Sequence, residues 1–121
     1  MSDIRILVAD NHPIVREGLI AILDTQEDFE VVGEAASGAE ALDLIKMLKP
    51  DVLLLDLEMP DTDGLAVLQS LKEQESDVRA IVFTVFDTDD RIMSAVQTGA
   101  KGYILKGAPR DQIFNAVRIV N

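Results

Sequence analysis

The sequence contains no cysteine and no tryptophan, and a single histidine and a single tyrosine stand among its 121 residues. Without cysteine there is no disulfide framework, no thiolate metal site and no cysteine nucleophile. One histidine with no partnering pattern around it argues against a Ser-His-Asp hydrolase. Positive charge is scarce as well: 11 Lys and Arg face 22 Asp and Glu, a net charge of −11. Nucleic-acid binding needs clustered Lys and Arg, so the chain has no electrostatic footprint for it. No apolar run approaches the roughly 18 residues of a membrane span. Met1 leads straight into charged Asp3 and Arg5, so no signal peptide is expected. What is present is 48% hydrophobic and 27% charged residues, the balance of an ordinary globular chain rather than a disordered one. The length suits one domain with a core of its own. A soluble, cytoplasmic single domain is the expectation.

The hydrophobic period switches repeatedly along the chain. Ile4 to Ala9 is a short apolar run rich in β-branched residues, followed by Val15, Leu19, Ile22 and Leu23 at the spacing of one helical face. Phe29 to Ala35 reads as a strand, and Glu30 and Glu34 within it suit a sheet edge. Ala41, Ile45 and Leu48 recur at helical spacing until Lys49-Pro50 stops the helix. Val52 to Leu55 is wholly apolar, as in a strand covered on both faces. The loop from Met59 to Gly64 opens a helix with Leu65, Leu68 and Leu71 inward, and Ala80 to Phe83 is the next buried strand. Ile92, Ala95, Val96 and Gly99 form a further stripe, Tyr103 to Leu105 the last strand, and Ile113, Ala116, Val117 and Val120 the last helix. On this reading every apolar stripe is used by the core and none is left to mark a dimer surface. Five strands alternating with five helices predict a parallel, doubly wound α/β sandwich, because parallel strands need crossovers and right-handed crossovers stack helices outside the sheet. A polar second strand favours the flavodoxin-like order 2-1-3-4-5.

In such a sheet ligands bind beyond the carboxyl ends of the strands, at the point where strand order reverses. Just past the apolar runs stand Asp10 and Asn11, then Asp56 with Leu57 and Glu58, then Thr84, and finally Lys106. Polar residues follow strands in any fold, so each alone says little, but four coordinated positions say more. Neighbouring carboxylates repel and need a compensating cation. Oxygen ligands suit a hard divalent ion such as Mg²⁺, and a nearby lysine is a compact charge for an anion such as a phosphoryl group. A carboxylate is itself able to act as a nucleophile and form an aspartyl phosphate.

These residues carry a family resemblance. Ile6 to Asp10, the segment Asp56-Leu57-Glu58-Met59-Pro60-Asp61-Thr62-Asp63-Gly64, and Gly99-Ala100-Lys101-Gly102-Tyr103-Ile104-Leu105-Lys106 resemble the receiver domain of a bacterial two-component response regulator, with its CheY-like fold, over residues 1–121. His12-Pro13-Ile14-Val15-Arg16-Glu17-Gly18-Leu19, with Gly107-Ala108 after Lys106, is similar to the NarL/FixJ (LuxR-type) subfamily. The resemblance implies that Asp56 accepts a phosphoryl group from a sensor histidine kinase or a small phosphodonor. It implies Mg²⁺ held by Asp10, Asp56 and the backbone carbonyl of Glu58, and phosphoryl oxygens met by Thr84 and Lys106. Tyr103 would then be the aromatic switch that turns inward as Thr84 moves. It also implies phosphorylation-dependent homodimerisation and a helix-turn-helix output domain outside these residues, through which alone DNA would be contacted.

One position departs from the pattern. Most receivers carry two acids after the first strand, and here the second is Asn11. An amide oxygen still ligates Mg²⁺ but brings no charge, so weakened metal binding is expected, and a phosphorylation-independent pseudo-receiver stays open as the alternative. Other classes fit less well. A flavin binder needs a Ser/Thr/Gly phosphate cradle where this chain has Asp10-Asn11-His12-Pro13, and a Mg²⁺-dependent phosphatase has only Glu58 to offer as its second acid. His12 reads as a helix-start residue before Pro13. Glu58 divides evenly between tuning water access and simple exposure, and Tyr103, without the resemblance, divides evenly between switch and strand packing. Gly64 and Gly102 are expected to serve backbone geometry. Asp87, Thr88, Asp89 and Asp90 suit the start of the fourth helix as a cap and solvated face rather than a metal site.

Overall fold

The computed structural model describes residues 3–85 and 88–121; Asp87 lies outside them. In chain order the elements are β1 (Ile4–Ala9), α1 (Pro13–Leu23), β2 (Phe29–Ala35), α2 (Gly38–Leu48), β3 (Val52–Leu55), α3 (Gly64–Glu73), β4 (Arg79–Thr84), α4 (Asp89–Gln97), β5 (Gly102–Leu105) and α5 (Arg110–Val120). All strand pairs are parallel and the sheet order is β2-β1-β3-β4-β5, as the alternation predicts.

Side-chain parity divides the core in two. Leu7, Ala9, Leu53, Leu55, Ala80 and Val82 point to one face and pack with Ala41 and Ile45 of α2, Val67, Leu68 and Leu71 of α3, and Ala95 of α4. Ile6, Val8, Val52, Leu54, Ile81, Phe83 and Ile104 point to the other, against Leu19 and Leu23 of α1 and Ile113, Phe114 and Val117 of α5. Alternate residues of a strand face opposite sides, so a sheet covered on both needs uninterrupted apolar strands. Val52, Leu53, Leu54 and Leu55 supply one, each at most 1% exposed. Burying each such side chain stabilises the fold by about 1.5–3 kcal/mol, and truncating one to alanine costs about 2–5 kcal/mol. Glu30 and Glu34 are exposed on β2, which is an edge strand.

The helix ends follow local chemistry. Ser37 caps α2 by accepting from Glu40 N at 3.2 Å, while Glu40 Oε1 accepts from Ala36 N at 2.8 Å. Asp63 caps α3 by accepting from Ala66 N at 2.8 Å, and Thr88 caps α4 with Asp89 and Asp90 in the first turn. The described members of the acidic run therefore cap and solvate a helix start. Helix α2 closes at Lys49 in the left-handed conformation, φ 49°, with Pro50 next.

Two expectations are corrected. In α4 only Ala95 of the apolar stripe is buried, Ile92 is half-buried, and Val96 is 55% exposed. Helix α4 leans on α3 and on β5, an edge strand too narrow to cover a full helical face. Val96, Met93 and Leu105 are thus left at the surface, as are Ile14 and Ile119, so the apolar residues are not all used by the core. Gly102 meets its expectation of a backbone role no better, since an added Cβ finds ordinary contact at 3.4 Å from Ile81.

Candidate functional site at the carboxyl ends of the strands

Hydrogen bonding between strands runs one residue beyond the sheet and holds the backbone of each site residue. Asp10 N donates to Ala35 O at 3.0 Å, Asp56 N to Ala9 O at 3.0 Å, and Lys106 N to Thr84 O at 2.7 Å. Asp10, Asp56, Thr84 and Lys106 therefore sit at the ends of β1, β3, β4 and β5 as the topology requires. The first three are buried, at 1%, 2% and 0% exposure.

Two buried carboxylates share one ammonium. Lys106 Nζ lies 2.8 Å from Asp10 Oδ2 and 3.0 Å from Asp56 Oδ2. Burial alone would lower the Lys106 pKa, but its close contacts with the Asp10 and Asp56 carboxylates outweigh it and hold the group above its usual value. The other carboxylate edges take backbone donors: His12 N to Asp10 Oδ1 at 2.8 Å and Glu58 N to Asp56 Oδ1 at 3.1 Å. Two anions against one cation leave a local deficit of positive charge.

A divalent cation suits this deficit. The donors are hard carboxylate oxygens, and the Oδ1 of Asn11 is buried with no hydrogen-bond partner among the described residues. A buried, orphaned acceptor on the residue next to Asp10 fits an oxygen-ligated ion such as Mg²⁺. The Thr84 hydroxyl is likewise buried without a partner among the described residues. Tyr103 is half-buried on β5 and borders a cavity of about 620 Å³, lined also by Ile92, Leu105, Lys106 and Gln112.

The structure does not bring the Glu58 side chain to the carboxylates. Its Oε1 lies 3.3 Å from Arg91 Nη1, tying the loop after β3 to α4. Gly64 has a geometric reason: an added Cβ would stand 2.6 Å from Leu57 Cα and 2.7 Å from Asp56 O. Only glycine lets α3 start against the backbone of the acidic loop.

Two residues enter the site that the pattern alone does not reveal. His12 does stand at the start of α1, without a side-chain capping hydrogen bond, and its ring Nδ1 lies 3.0 Å from Asp10 Oδ1 and 3.7 Å from Asp56 Oδ2. Arg16, one helical turn on, donates to Asp10 O and to Glu34 Oε1, both at 2.7 Å, and so fixes the end of β1 against β2.

A doubly wound α/β sandwich with an acidic, lysine-bridged pocket at its strand-order reversal defines the class. Residues 6–118 match the response regulator receiver domain family, and the chain belongs to it. It is 43% identical over 117 residues to the oxygen regulatory protein NreC of Staphylococcus epidermidis, covering 96% of this chain and 54% of that protein. It is 42% identical over 115 residues to the uncharacterised transcriptional regulatory protein YhcZ of Bacillus subtilis, covering 95% of this chain and 54% of the relative. The chain thus spans about half the length of the curated relatives it matches. Among solved structures, the signal receiver domain of response regulator NarL from Mycobacterium tuberculosis superposes with a TM-score of 0.95 at 39% identity, covering 98% of this chain and 96% of that one. This is a NarL/LuxR-type receiver domain, a module of phosphorylation-activated two-component signalling. No helix among the described residues is long and apolar enough to cross a membrane.

Proposed function

We propose that Asp56 is the phospho-acceptor of this receiver and that the phosphoryl donor is the phosphohistidine of a sensor kinase. The observation that carries the reading is the pair of buried carboxylates, Asp10 and Asp56, sharing the Lys106 ammonium. An Asp56 carboxylate oxygen attacks phosphorus; the P–O bond forms, the P–N bond breaks, and the freed imidazole nitrogen keeps the electron pair and takes up a proton. Asp10, Asp56, the Asn11 amide oxygen and the Glu58 carbonyl would hold Mg²⁺, which when bound supplies positive charge against the phosphoryl oxygens. Lys106 neutralises a further oxygen, and the unpartnered Thr84 hydroxyl donates to another. Tyr103 would then follow Thr84 inward as the aromatic switch. Local charge is thereby coupled to the surface of α4, β5 and α5, whose exposed Val96 and Leu105 suit a phosphorylation-dependent homodimer.

The neutral Asn11 lowers Mg²⁺ affinity without abolishing the chemistry. Control of DNA belongs to an output domain outside these residues, since an acidic receiver repels the phosphate backbone. The module works in the cytoplasm. Intact-protein mass after incubation with acetyl phosphate, with and without Mg²⁺, tests the assignment. One phosphoryl group is expected in the Mg²⁺-containing sample and none in Asp56→Asn. Absence of any gain at high donor and high Mg²⁺ would favour the pseudo-receiver, and a gain surviving in Asp56→Asn would move the acceptor elsewhere.

A further inference from the structure

The chain's only histidine stands at the metal pocket. Asp10, His12 and Asp56 each offer a ligand atom, and the three atoms lie within 4.8 Å of one another. His12 Nδ1 hydrogen-bonds Asp10 Oδ1 at 3.0 Å and stands 3.7 Å from Asp56 Oδ2, so a small shift of the exposed ring brings the three atoms to ligand spacing around one ion. Adjacent octahedral ligands with bonds of about 2.1 Å stand about 3.0 Å apart, and tetrahedral ones about 3.4 Å.

We infer that this pocket selects first-row transition dications such as Co²⁺ or Zn²⁺ over Mg²⁺, with His12 Nδ1 as a direct ligand. The inference rests on the metal-assisted phospho-acceptor reading and specifies which ion that site prefers. The donor set decides the preference. A hard ion such as Mg²⁺ is held by charge and oxygen, and Asn11 offers oxygen without charge. An imidazole adds little for the hard Mg²⁺ but forms a strong bond to Co²⁺, Ni²⁺ or Zn²⁺, the later first-row dications favoured at mixed N/O sites. Backbone donors also hold the two carboxylates in place. Asp10 Oδ1 and Asp56 Oδ1 accept from the backbone of His12 and Glu58, which fixes both carboxylates. The His12 side chain is 57% exposed while both carboxylates are buried, so an ion entering from solvent meets the ring at the mouth of the pocket.

Because no other histidine exists in the chain, tag-free protein gives an unambiguous readout. Proton NMR of the Co²⁺-titrated protein is expected to show paramagnetically shifted imidazole signals at one equivalent, absent from His12→Ala. Calorimetry with Zn²⁺ and with Mg²⁺ is expected to show the Zn²⁺-to-Mg²⁺ affinity ratio falling at least tenfold in His12→Ala. His12→Gln, which keeps a polar side chain at the helix start, should show the same fall. Unshifted imidazole signals, or a ratio that stays within threefold in both variants, would overturn the inference. The two readings fail separately. If acetyl phosphate with Mg²⁺ modifies Asp56 while His12 variants keep the parental ratio, the ion preference falls alone. If no ion supports phosphorylation while the imidazole signals shift, the phospho-acceptor reading falls and the metal site stands.

Discussion

Lys106 Nζ lies 3.0 Å from Asp56 Oδ2 although fifty residues separate them in the chain. The contact exists because β3 and β5 flank β4 in register and both end at the same edge of the sheet. It is also one half of a bridge, since the same ammonium reaches Asp10 at 2.8 Å.

Removing that bridge strands two carboxylates that are almost wholly out of water. Lys106→Met should lower stability by about 1–3 kcal/mol in metal-free buffer, the cost of leaving buried polar groups without their partner. A divalent ion supplies the missing charge, so added Mg²⁺ should recover more stability in the variant than in the parent. Urea unfolding with and without Mg²⁺ reads both effects. A variant as stable as the parent without metal would show that the carboxylates do not need the ammonium.

The same bridge dictates the response to alkali. Lys106 is held above its usual pKa by Asp10 and Asp56, against the opposing effect of burial. A group whose pKa is raised on folding stabilises fully below its unfolded value, and that contribution is lost as pH rises through the folded value. The stability gap between the parent and Lys106→Met should therefore be flat from neutral pH up to about pH 10 and close above it. Urea melts across that range measure the gap; closure near neutral pH would place its origin in another group.

The sheet and most of the pocket are legible in the sequence because both depend on short-range pattern. Val52 to Leu55 is apolar at every position, which only a strand covered on both faces tolerates. Asp10, Asp56, Thr84 and Lys106 each follow such a run, and parallel topology sends them all to one edge. His12 is less legible: its helix-start position is readable, but whether its ring turns toward Asp10 depends on backbone angles at the cap that residue type does not encode. Arg16 is hidden for a similar reason, since its partners are a backbone carbonyl and an edge-strand glutamate. The α4 stripe misleads because Val96 has helical spacing whether or not a neighbour covers it. Coverage there is decided by the width of the sheet at β5.

Thr84 holds a hydroxyl that is fully buried and lacks a hydrogen-bond partner among the described residues. Valine has nearly the same shape and no polar atom to desolvate. Thr84→Val should therefore stabilise the unphosphorylated protein by about 1 kcal/mol or more, while slowing phosphorylation if the hydroxyl meets the incoming group. Equilibrium unfolding and the acetyl phosphate time course separate the two effects. A loss of stability on substitution would mean that the hydroxyl has a partner, such as an ordered water, in the resting state.

Glycine positions near and far from the site should respond oppositely to the same change. A Cβ at Gly38 would stand 1.9 Å from the carbonyl oxygen of Thr62, a backbone atom in the loop between Asp56 and α3. Gly38→Ala must displace that loop, and we expect a cost of about 1–3 kcal/mol together with slower phosphorylation of Asp56. Gly18 is exposed within α1 and an added Cβ there finds nothing within 4 Å. Alanine lowers the entropy of the unfolded chain and favours helix, so Gly18→Ala should stabilise by about 0.5–1 kcal/mol and leave the phosphorylation rate alone. Paired urea melts and phosphorylation time courses of the two variants make the comparison. Equal stability effects would show that the loop yields freely, so that Gly38 is not what keeps it in place.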